Sequence, residues 1–163
     1  MLKKFIGVAL FVGLFSLLGI AQEAPKPEVF GGYQFTTLDP SWHANGWNGA
    51  ASMYINRWFG VTGDFSGAYG SGSTHFYTYT GGPVVSVHRH SVSPFAHALF
   101  GGGRASAASV SNSGMVMLFG GGMDYGRKSF AVRLFQADWE ITHFNSVTDK
   151  NNARVSTGLL YRF

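Results

Sequence analysis

A histidine and a serine lie three residues apart in one polar stretch of the chain, His143-Phe144-Asn145-Ser146. A serine hydroxyl becomes a nucleophile when a base such as imidazole lies within hydrogen-bond reach, so this pair is a candidate nucleophile and base. The alternative is a polar surface loop, which we favour because the pair lacks a matching catalytic motif. The sequence therefore predicts a protein without catalytic residues.

Two further motifs bear on metal and cofactor binding. His88-Arg89-His90 places imidazoles on alternate residues, which can share a metal ion, but only His97 is near enough to add a ligand. Two histidines in a turn do not define a site. The glycine runs 101–103 and 120–122 lack the Gly-Lys-Ser/Thr of a phosphate loop, and we expect them to let a sheet bend and pack. No metal or cofactor is predicted.

The composition excludes several protein classes. Charged residues make up 12% of the 163 residues, aromatics make up 16%, and there are 23 glycines and no cysteine. Soluble domains are about 25% charged, so this chain carries about half the usual charge. The absence of cysteine excludes a disulfide scaffold and a cysteine-ligated zinc site. The formal net charge of +4 is small for a nucleic-acid-binding protein, so no nucleic acid partner is expected.

The first segment has the features of a secretory signal peptide. Lys3 and Lys4 precede an apolar run over 5–20, and small residues occupy Gly19 and Ala21 at its end, the −3 and −1 positions of a cleavage site. The run is shorter than the roughly 20 residues of a spanning helix, which favours a cleaved signal over the alternative of a membrane anchor. We predict a signal peptide at 1–21, a short segment at 22–27 and a β-barrel domain at 28–163.

The rest of the chain alternates apolar and polar residues with a period of two, the pattern of β-strands. In 153–163 the odd positions are almost all apolar, and 115–125 repeats this alternation. This alternation predicts eight strands, at about 28–37, 45–56, 59–70, 75–87, 94–104, 114–125, 129–142 and 152–163. Globular strands average about 5–6 residues, whereas tilted membrane strands need about 9–11. The predicted fold is all-β, an eight-stranded antiparallel up-and-down transmembrane barrel.

The connections and the aromatic residues indicate how such a barrel is oriented. Short connections at 56–58, 88–93 and 126–128 alternate with longer ones at 38–44, 105–113 and 143–151, as expected for periplasmic turns and outer loops. The short connection at 71–74 is the exception. Aromatic residues gather near both strand ends, as in interfacial girdles. The periplasmic set is Trp58, Phe59, Phe95, Tyr125, Phe130, Tyr161 and Phe163. The outer set is Phe35, Trp47, Tyr69, Tyr77 and Trp139.

Charged residues on the polar strand faces form the candidate functional site. The interior of an eight-stranded barrel is just wide enough for side chains to fill. A lone buried ion is costly, so the charges inside must pair. We predict a lumen charge network of Glu28, Asp64, Asp124, Arg133, Asp138, Glu140 and Arg154, with Arg162 and His97 as further candidates. Such a network closes the lumen to ions; the alternative is a narrow gated pore.

Two places break the alternation. Phe130 and Val132 occupy even positions, whereas Trp139 and Ile141 occupy odd ones. A β-bulge near Leu134–Phe135 restores the alternation and keeps the acidic residues away from lipid. Pro83 removes a ladder hydrogen bond and predicts a local kink. The fifth strand gives no clean face, so the side on which His97 lies is left open.

Basic residues concentrate at the predicted periplasmic rim, at Arg57, His88, Arg89, His90, Arg127, Lys128 and Arg162, where Asp124 alone opposes them. One hypothesis is that this ring holds anionic lipid headgroups, at about 1 kcal/mol per cation. The alternative is ordinary snorkelling of long side chains at the interface.

The chain ends in alternating apolar residues with a terminal aromatic, Val155, Leu159, Tyr161 and Phe163. This ending resembles the C-terminal assembly signal of bacterial outer-membrane barrels, and 28–163 as a whole is similar to the small eight-stranded OmpA/OmpX-like family. The runs 94–101 and 120–124 resemble strands five and six of that group.

The resemblance implies an outer-membrane location in a Gram-negative cell envelope, with outer-membrane lipids and the barrel assembly machinery as partners, and we expect a monomer. Some eight-stranded barrels modify lipid A with a His-x-Ser-Asn pattern. Here the order is His-x-Asn-Ser, which turns the serine to the other face of a strand. The expected function is therefore structural or surface-interacting. The alternatives are a lipid-modifying hydrolase, a narrow pore or a soluble periplasmic ligand-binding barrel.

Overall fold

A computed structural model describes residues 27–38, 42–70, 74–89, 91–107, 110–145 and 147–163. The predicted signal peptide at 1–21 lies outside these residues. No helix in the described part of the chain is long and apolar enough to cross a membrane. Eight strands make up the fold: β1 (Pro27–Leu38), β2 (Trp42–Tyr54), β3 (Phe59–Gly70), β4 (Thr74–Ser86), β5 (Val92–Ala107), β6 (Val110–Arg127), β7 (Phe130–Phe144) and β8 (Val147–Arg162).

The strands form one closed antiparallel barrel in sequence order. Each strand pairs with the next, and β1 pairs with β8 from Glu28 opposite Arg162 to Thr37 opposite Ala153. This last ladder satisfies the backbone groups that would otherwise be left at two free edges. The predicted eight-stranded up-and-down barrel is confirmed.

The two ends of the barrel differ. The terminal end carries Pro27, Phe163 and the turns after β2, β4 and β6; the loop end carries the other four connections. The long loops predicted at the loop end are wrong, because the strands continue until Leu38 faces Trp42 and Ala107 faces Val110. Their polar residues still pair across the ladder, as where the Arg104 Nε donates to the Ser111 hydroxyl at 2.7 Å.

The extended hairpins make one side of the barrel taller. Strands β1 to β4 have 12 or 13 residues, whereas β5 to β8 have 15 to 18. Three or four extra residues at about 3.3 Å each lengthen these strands by roughly 10 Å. We call the projecting ends of the β5–β6 and β7–β8 hairpins the loop-end ridge.

Both predicted irregularities are present. Met123 pairs with Phe135 but Asp124 pairs with Arg133, so Leu134 is the extra residue of a bulge. Leu134 and Phe135 are consequently both exposed on the outer face. Between β4 and β5 the pairing lapses around Pro83, which has no N–H to donate. The bulge shifts the alternation by one place and keeps the carboxylates of β7 inside the barrel.

Candidate functional site in the barrel lumen

The outer face of the barrel is apolar between its two ends. The exposed side chains there are large and apolar or aromatic, such as Val61, Phe65, Phe100 and Leu159. Among the described residues no charged side chain lies on this face between the ends, since the exposed cations sit on turns or at the loop end. An apolar outer band around a polar interior is the arrangement of a membrane-spanning barrel.

One arginine is the centre of the lumen charges. The Arg154 side chain is 1% exposed, and its guanidinium lies 2.8 Å from the Asp64 Oδ1 and 2.8 Å from the Asp138 Oδ2. The Asn48 amide donates to the other Asp64 oxygen at 2.9 Å. Two carboxylates from opposite parts of the sequence thus share one buried cation, with charge-assisted hydrogen bonds on each side.

A second ion pair connects to this centre through a glutamine. The Gln136 amide donates to Asp138 at 2.7 Å, and its carbonyl oxygen accepts from the Arg133 Nη1 at 2.6 Å. Arg133 in turn donates to Asp124 at 2.8 Å. The hydrogen bonds therefore run without a break from Asp64 to Asp124, a chain that includes five of the seven predicted charges. Gln136 was missed in the sequence, although the bulge places it on the inner face.

Two aromatic rings hold the second arginine from either side. The Arg133 guanidinium carbon lies 4.3 Å from the centre of the Phe30 ring and 4.1 Å from that of Phe95. Phe95 is 8% exposed, so its predicted place in the periplasmic girdle is wrong. It faces inward because it lies on the same side of β5 as His97 and Leu99. Cation–π contacts of this kind are strongest where the cation is desolvated.

His97 lies in the lumen, which the sequence left open. Its Nε2 is 2.8 Å from the Asp138 Oδ1, and the His97 side chain is 5% exposed. Leu99 on the same face packs with Val116 and Leu118 in an apolar interior cluster. Apolar side chains thus fill part of the lumen, for which the sequence had predicted small or polar residues.

The remaining two predicted charges lie apart from the chain of hydrogen bonds. Glu140 is 1% exposed, and its Oε1 has no hydrogen-bond partner in the described part of the chain. Glu28 lies at the terminal end, where the Arg162 Nε donates to its Oε1 at 2.7 Å and the His88 Nε2 is at 3.3 Å. The sequence predicted Asp124 as the carboxylate that lies among the basic rim residues. In the structure Asp124 pairs with Arg133, and Glu28 is the carboxylate that contacts the rim residues Arg162 and His88.

The four residues of the predicted assembly signal all point outward. Val155 is 48% exposed, Leu159 67%, Tyr161 38% and Phe163 67%. The Tyr161 ring packs edge-on against Phe130 and Phe163, with centroids 5.0 and 4.8 Å apart. Together these rings form an aromatic patch on the outer face at the terminal end.

The other sequence candidates remain separate. His143 lies at the end of β7, where its Nδ1 is 2.7 Å from the Thr148 hydroxyl; Ser146 lies outside the described residues. His88 contacts Glu28, and His90 is also outside the described residues. In the part of the chain that the structure describes, no group of three or more His, Cys, Asp or Glu residues could hold a metal ion.

Gly120 leaves room for the His97–Asp138 contact. A Cβ at Gly120 would lie 2.2 Å from the Asp138 Oδ1, whereas a Cβ at Gly63 would meet nothing within 4 Å. We expect Gly120→Ala to lower the free energy of unfolding by about 1–3 kcal/mol through overpacking, and Gly63→Ala to leave it nearly unchanged. Urea titrations in lipid vesicles measure both, and equal stabilities of the two variants would contradict this role for Gly120.

Comparisons with known proteins identify the architecture. No protein-family model and no curated protein matches the chain. Among solved structures, Neisserial surface protein A aligns with a TM-score of 0.66 at 12% identity, over 86% of this chain and all of that one. The chain has the fold of a small outer-membrane β-barrel.

Two further outer-membrane barrels align over similar lengths. The attachment invasion locus protein Ail of Yersinia pestis has a TM-score of 0.54 at 21% identity, covering 86% of this chain and 100% of Ail. The N-terminal barrel domain of Pseudomonas aeruginosa OprF has a TM-score of 0.61 at 8% identity, covering 85% of this chain and 97% of that domain. At these identities the likeness concerns the fold alone.

Proposed function

We propose that the chain is a small integral protein of the Gram-negative outer membrane, which acts through structural or surface contacts and not through catalysis. The uncharged apolar band on the outer face carries this proposal, because such a surface is stable in lipid and would aggregate in water. Outer-membrane lipids are the partner that this band contacts. The fold shared with three outer-membrane barrels supports the location.

The filled lumen favours a structural protein over a pore. Buried charges, aromatic rings and an apolar cluster occupy the interior along most of its described length. A cavity of about 10 Å³ is bordered by Asp64, His97 and Arg133, which is room for about one water molecule. Ions crossing this layer would have to separate Arg154 from its two carboxylates, at a high electrostatic cost.

The loop-end ridge is the surface that we assign to outward contacts. It carries short polar and basic side chains, including Arg104, Ser111, Asn112 and Lys150, held on a paired sheet rather than on free loops. A rigid polar ridge loses little conformational entropy on binding. Two of the similar structures, the attachment invasion locus protein and Neisserial surface protein A, are named for attachment or for the cell surface, which supports such a role.

We propose that the protein works as a monomer. The ladder between β1 and β8 closes the barrel, so the described strands leave no free edge with which a second copy could pair.

The decisive experiment for the proposed function combines location with lipid chemistry. We expect the protein in the outer-membrane fraction, with faster migration on gels when unheated than when heated. Vesicles containing it should show no steady ion conductance, and lipid A from a deletion strain should be unchanged. Recovery from the soluble periplasmic fraction would contradict the proposal, and a changed lipid A profile would favour the hydrolase.

Assembly is proposed to depend on Phe163. Every backbone group in lipid must be paired, and β8 completes the barrel against β1. Deleting Phe163 should therefore leave most of the protein in the periplasm, whereas Phe163→Tyr keeps an aromatic ring and should insert normally. Immunoblots of the two cell fractions measure this. Normal membrane levels of the deletion variant would argue that the terminal ring is not an assembly signal.

A further inference from the structure

A cavity of about 570 Å³ opens into the lumen at the terminal end. Its inner wall is formed by side chains that point into the barrel, Glu28, Tyr54 and Arg162, and its mouth by residues of two turns, Trp58 and Lys128. Small-molecule sites span about 300–1,000 Å³. We call this space the vestibule; its size suits a small organic molecule.

The vestibule carries more positive than negative charge. Arg57, Lys128 and Arg162 line it, and Glu28 is the carboxylate side chain among the lining residues. Even with the α-carboxylate of Phe163 counted, cations outnumber carboxylates. Arg162 bonds Glu28, but Arg57 and Lys128 have no ion pair or hydrogen bond within the described part of the chain. Two cations are therefore available to an anion at the mouth.

A buried donor inside the vestibule has no acceptor. The Arg162 Nη2 is shielded from solvent and has no hydrogen-bond partner among the described residues, although the Nε of the same guanidinium donates to Glu28 at 2.7 Å. An unpaired buried donor destabilises the folded protein. An anionic oxygen next to Nη2 would satisfy this donor, and hydrogen bonds between ionised groups are the strong ones.

Aromatic side chains form the rest of the wall. Tyr54 is almost buried and packs edge-on against the His88 ring at 5.3 Å. Trp58 at the mouth is 61% exposed. An exposed ring beside unpaired cations suits a ligand that has an apolar body and one anionic group.

We propose that the vestibule binds a small organic anion, a carboxylate or phosphate on an apolar body of about one ring, entering from the solvent at the terminal end. The anionic group is drawn in by Arg57 and Lys128 and accepts from the Arg162 Nη2 once a small turn of the guanidinium exposes this atom, while the body packs against Trp58. A free molecule is favoured over a lipid headgroup, because Glu28 and Arg162 lie inside the ring of strands and headgroups lie outside it.

The indole N–H signal of Trp58 reports on the vestibule directly. We would record it by NMR with the ¹⁵N-labelled barrel in nanodiscs of zwitterionic phosphatidylcholine, adding phenyl phosphate or uncharged phenol. Phenyl phosphate should shift the Trp58 signal to saturation, phenol should not, and the Trp139 signal should stay in place. In the Arg57→Gln/Lys128→Gln variant the Kd should rise about tenfold or more, since the variant removes both unpaired cations at the mouth.

Arg89→Gln is the matched control, because Arg89 lies at the same end but does not line the vestibule. Its Kd should equal that of the parent protein. Equal shifts with phenol and phenyl phosphate, no saturable shift, or equal weakening by the control would overturn the proposal. So would a Trp58 shift in nanodiscs containing phosphatidylglycerol that blocks phenyl phosphate, since the occupant would then be a lipid headgroup.

Discussion

Replacing Arg154 by methionine should lower the free energy of unfolding of the barrel by about 3–5 kcal/mol. The change removes the cation that Asp64 and Asp138 share at 2.8 Å and leaves both carboxylates buried. Methionine keeps most of the side-chain volume, so the loss reports on charge more than on packing. Urea titrations of unfolding in lipid vesicles, followed by tryptophan fluorescence, measure the change.

The matched control removes the carboxylates together with the cation. In the triple variant Arg154→Met/Asp64→Asn/Asp138→Asn the cation and both of the carboxylates that it pairs with are neutralised, so most of the lost stability should return. A triple variant as unstable as Arg154→Met, or a single variant within 1 kcal/mol of the parent protein, would contradict the view that one buried guanidinium holds the lumen charges together.

The faces of the strands could be predicted from the sequence because alternation in a barrel has only two outcomes, inside or outside. The bulge at Leu134 followed from this rule alone, since the acidic residues of β7 would otherwise point into lipid. The same rule placed Asp64 and Arg154 inside, although they lie 90 residues apart.

To predict which charges pair inside the lumen, the position of each residue along the barrel axis must be known, and alternation does not give that position. Glu28 and Asp124 are both inward and both near the terminal end, yet Arg162 bonds the first and Arg133 the second. The choice depends on the register of neighbouring strands and on the bulge. Glu140 shares the inner face but meets no donor at its Oε1 among the described residues.

The loop end was predicted least well, because short polar residues are common to loops and to solvent-exposed strands. Ser106 and Ser111 were predicted to lie in a loop, but in the structure their hydroxyls lie 3.2 Å apart across a hairpin. Phe95 was misplaced for a related reason. An aromatic residue near a strand end suits a girdle, and only knowing that the odd positions of β5 face the lumen shows that Phe95 points inward. The sequence of β5 shows no clear alternation of polar and apolar residues, because Leu99 and Gly101 lie on the inner face together with the polar His97.

Leu159→Arg should destabilise the barrel by about 2 kcal/mol in lipid vesicles. Leu159 is 67% exposed on the outer face, one outward position above Tyr161 at the terminal end. An arginine on the lipid face of such barrels costs about 2–4 kcal/mol at the midplane and less near the interface. Leu159 lies between these limits, and unfolding titrations measure the cost.

Two controls separate the effect of lipid from the effects of size and charge. Leu159→Met keeps an apolar side chain and should change the stability little. Asn151→Arg adds the same charge to the same strand at the loop end, beyond the apolar band, and should also be mild. If Leu159→Arg proved as mild as these two, the exposed apolar band would face water rather than lipid. The buried ion network would then belong to a soluble barrel, and the membrane assignment would fail with it.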